Sequence, residues 1–199
     1  VPDRKLLWWP SRAMCRGLFR RLCDRPCPCC FLNLAKTDSY MNILILCTGN
    51  SCRSILAEAT INHLAPAGVR AISAGSQPAG YVHPRSLALL QREGISIEGL
   101  VSKSWDNLPF TPDIVITVCA SAAGETCPAY LGPVLRAHWG VDDPAKATGT
   151  DAKIDAAFEK AYRILRHRVE AFLALPLDQL QQDPQRLKAE LDRIGSLLP

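Results

Sequence analysis

Between Asn42 and Leu64 the chain passes from the apolar run Asn42–Cys47, through the polar stretch Thr48-Gly49-Asn50-Ser51-Cys52, into a periodic segment opened by Arg53-Ser54. A short apolar run followed at once by a loop and a helical pattern is half of a βαβ unit, and such units build parallel sheets covered by helices. The alternation repeats, with further strands expected at about Val69–Ala74, Asp113–Cys119 and Val134–Trp139. The third carries Ile114, Val115, Ile116, Thr117 and Val118 in succession. That β-branched run places it centrally, with both faces buried.

Helices are expected at Ser54–Leu64, with Ile55, Leu56, Ala59 and Leu64 inward, and at Pro84–Glu93, stopped by Gly94. In Asp151–Leu173 the residues Ile154, Phe158, Ala161, Leu165, Val169 and Phe172 recur every three or four positions, so one face packs on the sheet and Pro176 ends the pattern. Leu187, Leu191, Ile194 and Leu198 predict a last short helix docked on the domain. The fold class is therefore α/β, a three-layer sandwich around a four-stranded parallel sheet. Its domain spans 41–175 and is followed by a helical tail, 176–199.

Residues 1–40 read differently. They hold Trp8-Trp9-Pro10, five of the nine cysteines (Cys15, Cys23, Cys27, Cys29 and Cys30), and eight Lys/Arg against three Asp/Glu. The remainder has fifteen against sixteen, so the pI of about 8.6 belongs to the leading segment and gives no reason to expect nucleic-acid binding by the domain. Without periodicity, this segment is expected to be a disordered extension, or to precede a physiological start at Met41. A metal site from Cys23, Cys27, Cys29 and Cys30, or a basic membrane-surface helix around Met14–Leu22, are the sharper alternatives. The 199 residues are 48% hydrophobic with a mean hydropathy of +0.02, and no run approaches the roughly 18 apolar residues of a membrane span. A cytoplasmic, monomeric protein without a membrane partner is expected.

The chemistry concentrates in Cys47-Thr48-Gly49-Asn50-Ser51-Cys52-Arg53-Ser54. A loop between the first strand and first helix of an open α/β sheet is where such sheets bind ligands, and a helix N-terminus adds partial positive charge. Gly49 is expected to permit the turn, Arg53 to clasp two oxygens of a tetrahedral anion, and Ser54 to hydrogen-bond the Cys47 sulfur. The same field favours the Cys47 thiolate, a nucleophile. Taken alone, Cys47 would read as a small buried hydrophobe; the accompanying Gly, Arg and Ser argue otherwise.

These residues resemble the low-molecular-weight protein-tyrosine phosphatase family, which opens its domain on Cys-x₅-Arg-Ser. Trp139-Gly140-Val141-Asp142-Asp143-Pro144 is similar to that family's late Asp-Pro loop, which implies a general acid at Asp143, with Asp142 a turn residue. Within the fold, Cys119 at the end of the third strand and Cys127 eight residues later resemble the extra cysteines of thioredoxin-coupled arsenate reductases. Parallel strands end on one edge, so Cys119 should emerge beside Cys47, joined to Cys127 by a flexible Ala/Gly/Ser segment. The resemblance implies arsenate as substrate, a relay from Cys47 to Cys119 to Cys127, no bound cofactor, and thioredoxin or glutathione with glutaredoxin as external reductant. Cys52 is assigned to the binding loop and not to the relay.

Some reductases of this kind bind potassium through residues matching Asn50, Glu58 and Ser73 and an Asp aligned near Ser104; here Asp106 is two residues away, so Asn50 and Glu58 are expected to brace the loop instead. His63, His83, His138 and His167 form no ligand pattern and are expected to be structural or superficial. Two other readings of the loop remain: a phosphatase acting on phosphotyrosine or small phosphoesters, and a non-enzymatic oxyanion-binding module.

Overall fold

The computed structural model describes residues 40–124 and 134–199. Four parallel strands, β1 (Met41–Leu46), β2 (Val69–Ala74), β3 (Ile114–Thr117) and β4 (Leu135–His138), pair in the order β2-β1-β3-β4. Every strand lies within a residue or two of its predicted place. The central pair is β1 and β3, and β3 is buried throughout. Its β-branched side chains fill both faces of the sheet, as expected of a parallel strand covered on each side.

Among the described residues the α-helices are α1 (Arg53–Leu64), α2 (Pro84–Arg92), α3 (Ala120–Gly124), α4 (Asp151–Leu173), α5 (Leu177–Leu180) and α6 (Pro184–Gly195). Local chemistry sets their ends. His83 caps α2 by accepting the Arg85 N–H at Nδ1 (3.2 Å) ahead of Pro84, and Gly94 follows the helix with φ +73°. Thr150 caps α4, whose predicted bounds and apolar face agree with the fold: Phe158, Ala161, Leu165, Val169 and Phe172 are buried, and Ile154 is half-buried. The α6 helix buries Leu187, Leu191 and Ile194 in the same core.

Three expectations need correction. The α1 helix is buried from Arg53 to Ile61 on all sides, not along one stripe, while Leu64 is only half-buried. It is enclosed between the sheet and α4, which periodicity along one segment cannot reveal. Leu198 is 70% exposed because α6 ends at Gly195, before another turn could carry it inward. The segment after Cys119 is not simply flexible: its first five residues form α3. Cys127 and the leading segment with its Trp8-Trp9-Pro10, cysteine cluster and basic stretch lie outside the described residues.

Candidate active site

The register explains how the site assembles. Leu46 of β1 pairs with Thr117 of β3, and the Val118 N–H donates to the Leu46 carbonyl (2.9 Å), so Cys47 and Cys119 leave adjacent strands on one edge. Cys119 Sγ accepts the N–H of Thr48 (3.5 Å), the residue directly after Cys47, and both cysteines are buried, at 6% and 5% exposure.

From Cys47 the chain curls through the loop, and its outer side is tied down. The carbonyls of Thr48, Gly49 and Ser51 accept from the N–H groups of Gln77, Ala79 and His83 at 3.0, 2.9 and 3.0 Å. Across a trans peptide the next N–H points opposite to the carbonyl, so the amides of Gly49, Asn50 and Cys52 face inward. That is the polarity of an anion-binding nest, set at the start of α1. Gly75 makes the close approach possible: a Cβ there would lie 2.4 Å from the Thr48 oxygen.

The tight turn belongs to Asn50 and not to Gly49. Asn50 has φ +41°, in the left-handed region, whereas Gly49 does not have positive φ. Asn50 is fully buried and its side chain stabilises the conformation: Nδ2 donates to Ser54 Oγ (3.0 Å) and Ser73 Oγ (2.7 Å), and Oδ1 accepts the Lys103 N–H (2.7 Å). Ser73 in turn donates to Glu58 Oε2 (2.5 Å), and Lys103 Nζ lies 3.6 Å from Glu58 Oε1. Burial pushes the Glu58 carboxyl up, opposed by Ser73 and Lys103. Ser54, expected at the Cys47 sulfur, thus meets Asn50. Asp106 accepts the Ser104 hydroxyl (2.6 Å).

Arg53, the first residue of α1, reaches across to the Asp-Pro loop. Its Nη1 donates to the Val141 carbonyl (2.9 Å) and its Nη2 pairs with Asp143 Oδ2 (2.8 Å). Its Nε is buried and has no hydrogen-bond partner among the described residues. Asp143 also caps the short 3-10 turn Pro144–Lys146, accepting the Ala145 N–H (3.2 Å). Asp142 is turned away, its side chain almost wholly exposed and 3.7 Å from Lys160. Cys52 is buried at the mouth of α1 beside Ser86 and Ser51, and burial pushes its thiol up.

The two cysteines titrate as a coupled pair, which the loop alone does not suggest. Cys119 Sγ faces the Thr48 N–H (3.5 Å), the Thr48 hydroxyl (3.6 Å) and the Ala122 N–H (3.3 Å). Together with the Cys47 thiol, they bring its pKa down to about 5. The Cys47 thiol is pushed up, first by its hydrogen bond to Cys119 and then by burial, with Arg53 and the Gly49 N–H opposing. The shifts are opposite in direction, Cys119 down and Cys47 up, as for two thiols that hold one negative charge between them. The neighbouring thiol thus opposes the guanidinium field that favours Cys47.

This has a consequence for stability. Unfolded, both thiols ionise near 9.0; folded, Cys119 ionises at about 5 and Cys47 well above its ordinary range. Between those pH values the folded pair binds fewer protons than the unfolded pair, so its contribution grows as pH rises from 5 towards 9.0 and declines above it. In urea melts across pH 5–9 the gap between wild type and Cys119→Ser should widen with pH; a constant gap would refute the shared charge.

Residues that sequence reasoning missed support the loop from behind. His83 donates its backbone N–H to Ser51, caps α2 and stacks on Phe158 with ring centroids 4.8 Å apart. Lys103 and Gly75 come from distant segments. Only the His-Pro pair, an N-cap before a helix-opening proline, carried a local signal. Among the described residues no group of three or more His, Cys, Asp or Glu gathers as metal ligands, and no helix is long and apolar enough to cross a membrane.

A parallel sheet with a Cys-x₅-Arg loop at the start of α1 and an Asp-Pro loop facing it defines a class of oxyanion-handling α/β proteins. The chain belongs to the low molecular weight phosphotyrosine protein phosphatase family, whose model matches residues 42–188. Within reach of that family, it is 38% identical over 131 residues to an arsenate reductase of Halalkalibacterium halodurans, a match covering 65% of this chain and 93% of the relative. It is 35% identical, with the same coverage, to an arsenate reductase of Bacillus subtilis. A solved arsenate reductase in the phosphate binding state aligns with TM-score 0.56 and 27% identity, over 67% of this chain and 96% of that one.

Proposed function

We propose that the protein reduces arsenate to arsenite, with Cys47 as nucleophile, Arg53 and the loop Thr48–Ser54 with its inward Gly49, Asn50 and Cys52 amides as anion cradle, Asp143 as acid and Cys119 as the second thiol. The observation that carries this reading is the pair of buried thiols, Cys47 and Cys119, brought to one sheet edge with Cys119 Sγ on the Thr48 N–H, which ester hydrolysis does not require. The similarity to arsenate reductases supports it.

The chemistry follows from the groups present. Arsenate enters the cradle; the two thiols hold one proton and one negative charge between them, and for attack the proton is on Cys119. The Cys47 thiolate attacks arsenic(V); a sulfur–arsenic bond forms, and one oxygen leaves as water, protonated by Asp143. Cys119 then gives up its proton to an arsenic-bound oxygen and attacks the Cys47 sulfur. A sulfur–sulfur bond forms, the sulfur–arsenic bond breaks, and its electron pair stays with arsenic, which departs as arsenite. Two thiols are oxidised by the two electrons that arsenic gains. Cys127 attacks Cys119, freeing Cys47, and the Cys119–Cys127 disulfide is reduced by an external dithiol, either thioredoxin or glutaredoxin with glutathione.

The test is arsenite formation by the purified protein, supplied in turn with thioredoxin and its reductase and with glutathione and glutaredoxin. Turnover with one donor is the expected result and names it. Absence of arsenite with both, alongside hydrolysis of an aryl phosphate, would move the assignment to phosphatase.

A further inference from the structure

Arg168 is a buried cation of α4, 3% exposed, and among the described residues it has no carboxylate partner. Its guanidinium is spent on two carbonyls: Nη1 donates to Gly140 and Nε to Leu197, each at 3.1 Å. A guanidinium placed so deeply against neutral acceptors costs desolvation, which is offset here only by fixing those carbonyls. Gly140 is the stem of the Asp143 loop, and the next carbonyl, Val141, is held by Arg53. Two guanidinium groups from different helices thus hold consecutive peptide carbonyls of one loop.

The other end of the clamp is the carboxy-terminal segment. Trp139 Nε1 donates to the Leu191 carbonyl (3.0 Å). Gly195 lies so close to the strand end that a Cβ there would be 2.4 Å from the His138 oxygen and 3.0 Å from Trp139 Cδ1. Leu191, Gly195 and Leu197 all lie beyond residue 188, where the match to the family ends. This support is therefore built by a stretch of chain outside the region that defines the family.

We infer that Arg168 and the segment Leu191–Leu197 are positioning residues for Asp143: by holding Trp139, Gly140 and the end of β4 they keep the Asp-Pro loop against Arg53 and the Cys47 cradle. The inference rests on the reading of Asp143 as the acid of the proposed reaction. It does not involve the anion loop, whose bracing by Asn50, Ser73 and Glu58 comes from the other side of the sheet order.

The experiment uses the full chain with Arg168→Met, Arg168→Lys and Gly195→Val, alone and with Asp143→Asn. In Arg168→Met and Gly195→Val, hydrogen exchange should rise across residues 139–147 while residues 47–54 stay protected. The kcat for arsenite formation should fall about tenfold or more, since small misplacement of a reacting group is costly. Affinity for inorganic phosphate should hold within about twofold, and Arg168→Lys, which keeps one carbonyl bond, should recover part of the loss. In the Asp143→Asn background, Arg168→Met should cause no further loss. An exchange increase spread over the whole domain, or an equal kcat loss with and without Asp143, would overturn the inference. If the wild type forms no arsenite, the proposed reaction falls, and the exchange pattern still decides whether the clamp holds the loop.

Discussion

Cys119→Ser is expected to abolish arsenite turnover, by on the order of a thousandfold or more, while leaving affinity for inorganic phosphate nearly unchanged. The physical reason is access. Cys47 is 6% exposed and its arsenic adduct would lie deeper in the cradle, so a protein dithiol cannot approach its sulfur from solvent. Cys119 leaves the adjacent strand on the same edge, with its sulfur on the Thr48 N–H, and an oriented intramolecular thiol carries an effective concentration that no external donor reaches. Serine keeps a hydrogen-bonding atom beside Thr48 but cannot form the disulfide. Arsenite release and phosphate binding by the variant are the measurements. Unchanged arsenite production would remove Cys119 from the reaction.

The second large effect is expected at Asn50. Asn50→Ala removes the side chain that donates to Ser54 and Ser73 and accepts from Lys103, and leaves alanine at φ +41°. Buried partners lose their bonds and the left-handed conformation loses its compensation, a cost of roughly 3 kcal/mol in folding stability. The turn should relax, rotating the inward amides of the loop away from one another, and phosphate affinity should fall by well over about tenfold. Chemical denaturation and phosphate titration check the two parts separately. A variant with a destabilised fold but wild-type phosphate affinity would place the cradle's geometry elsewhere.

Both predictions depend on features of different legibility. The strand–loop–helix at Asn42–Leu64, the four strands, the α4 helix and the placement of Cys119 beside Cys47 could all be read from the chain, because periodicity and the common edge of parallel strands are local or topological rules. The roles inside the loop were less legible. Glycine was the natural candidate for the turn, yet Asn50 takes it, since its bonds come from Ser73 and Lys103, 23 and 53 residues away. Likewise the loop's positive field argued for a Cys47 thiolate considered alone, and only the tertiary structure brings in Cys119, with its own N–H donors, as a second thiol coupled to it.

The sequence by itself determined the sheet, the position of the anion loop and the identity of the groups that face it, because hydrophobic period, turn residues and motif spacing act over a few residues at a time. Only the tertiary structure shows that the ionisation of Cys47 is coupled to a second thiol, that Arg53 bridges Val141 and Asp143, and that the carboxy-terminal segment clamps the Asp-Pro loop. Those depend on distances between segments far apart in the chain, and in a buried site a few ångströms govern both the strength of a charge interaction and whether a carbonyl finds its donor.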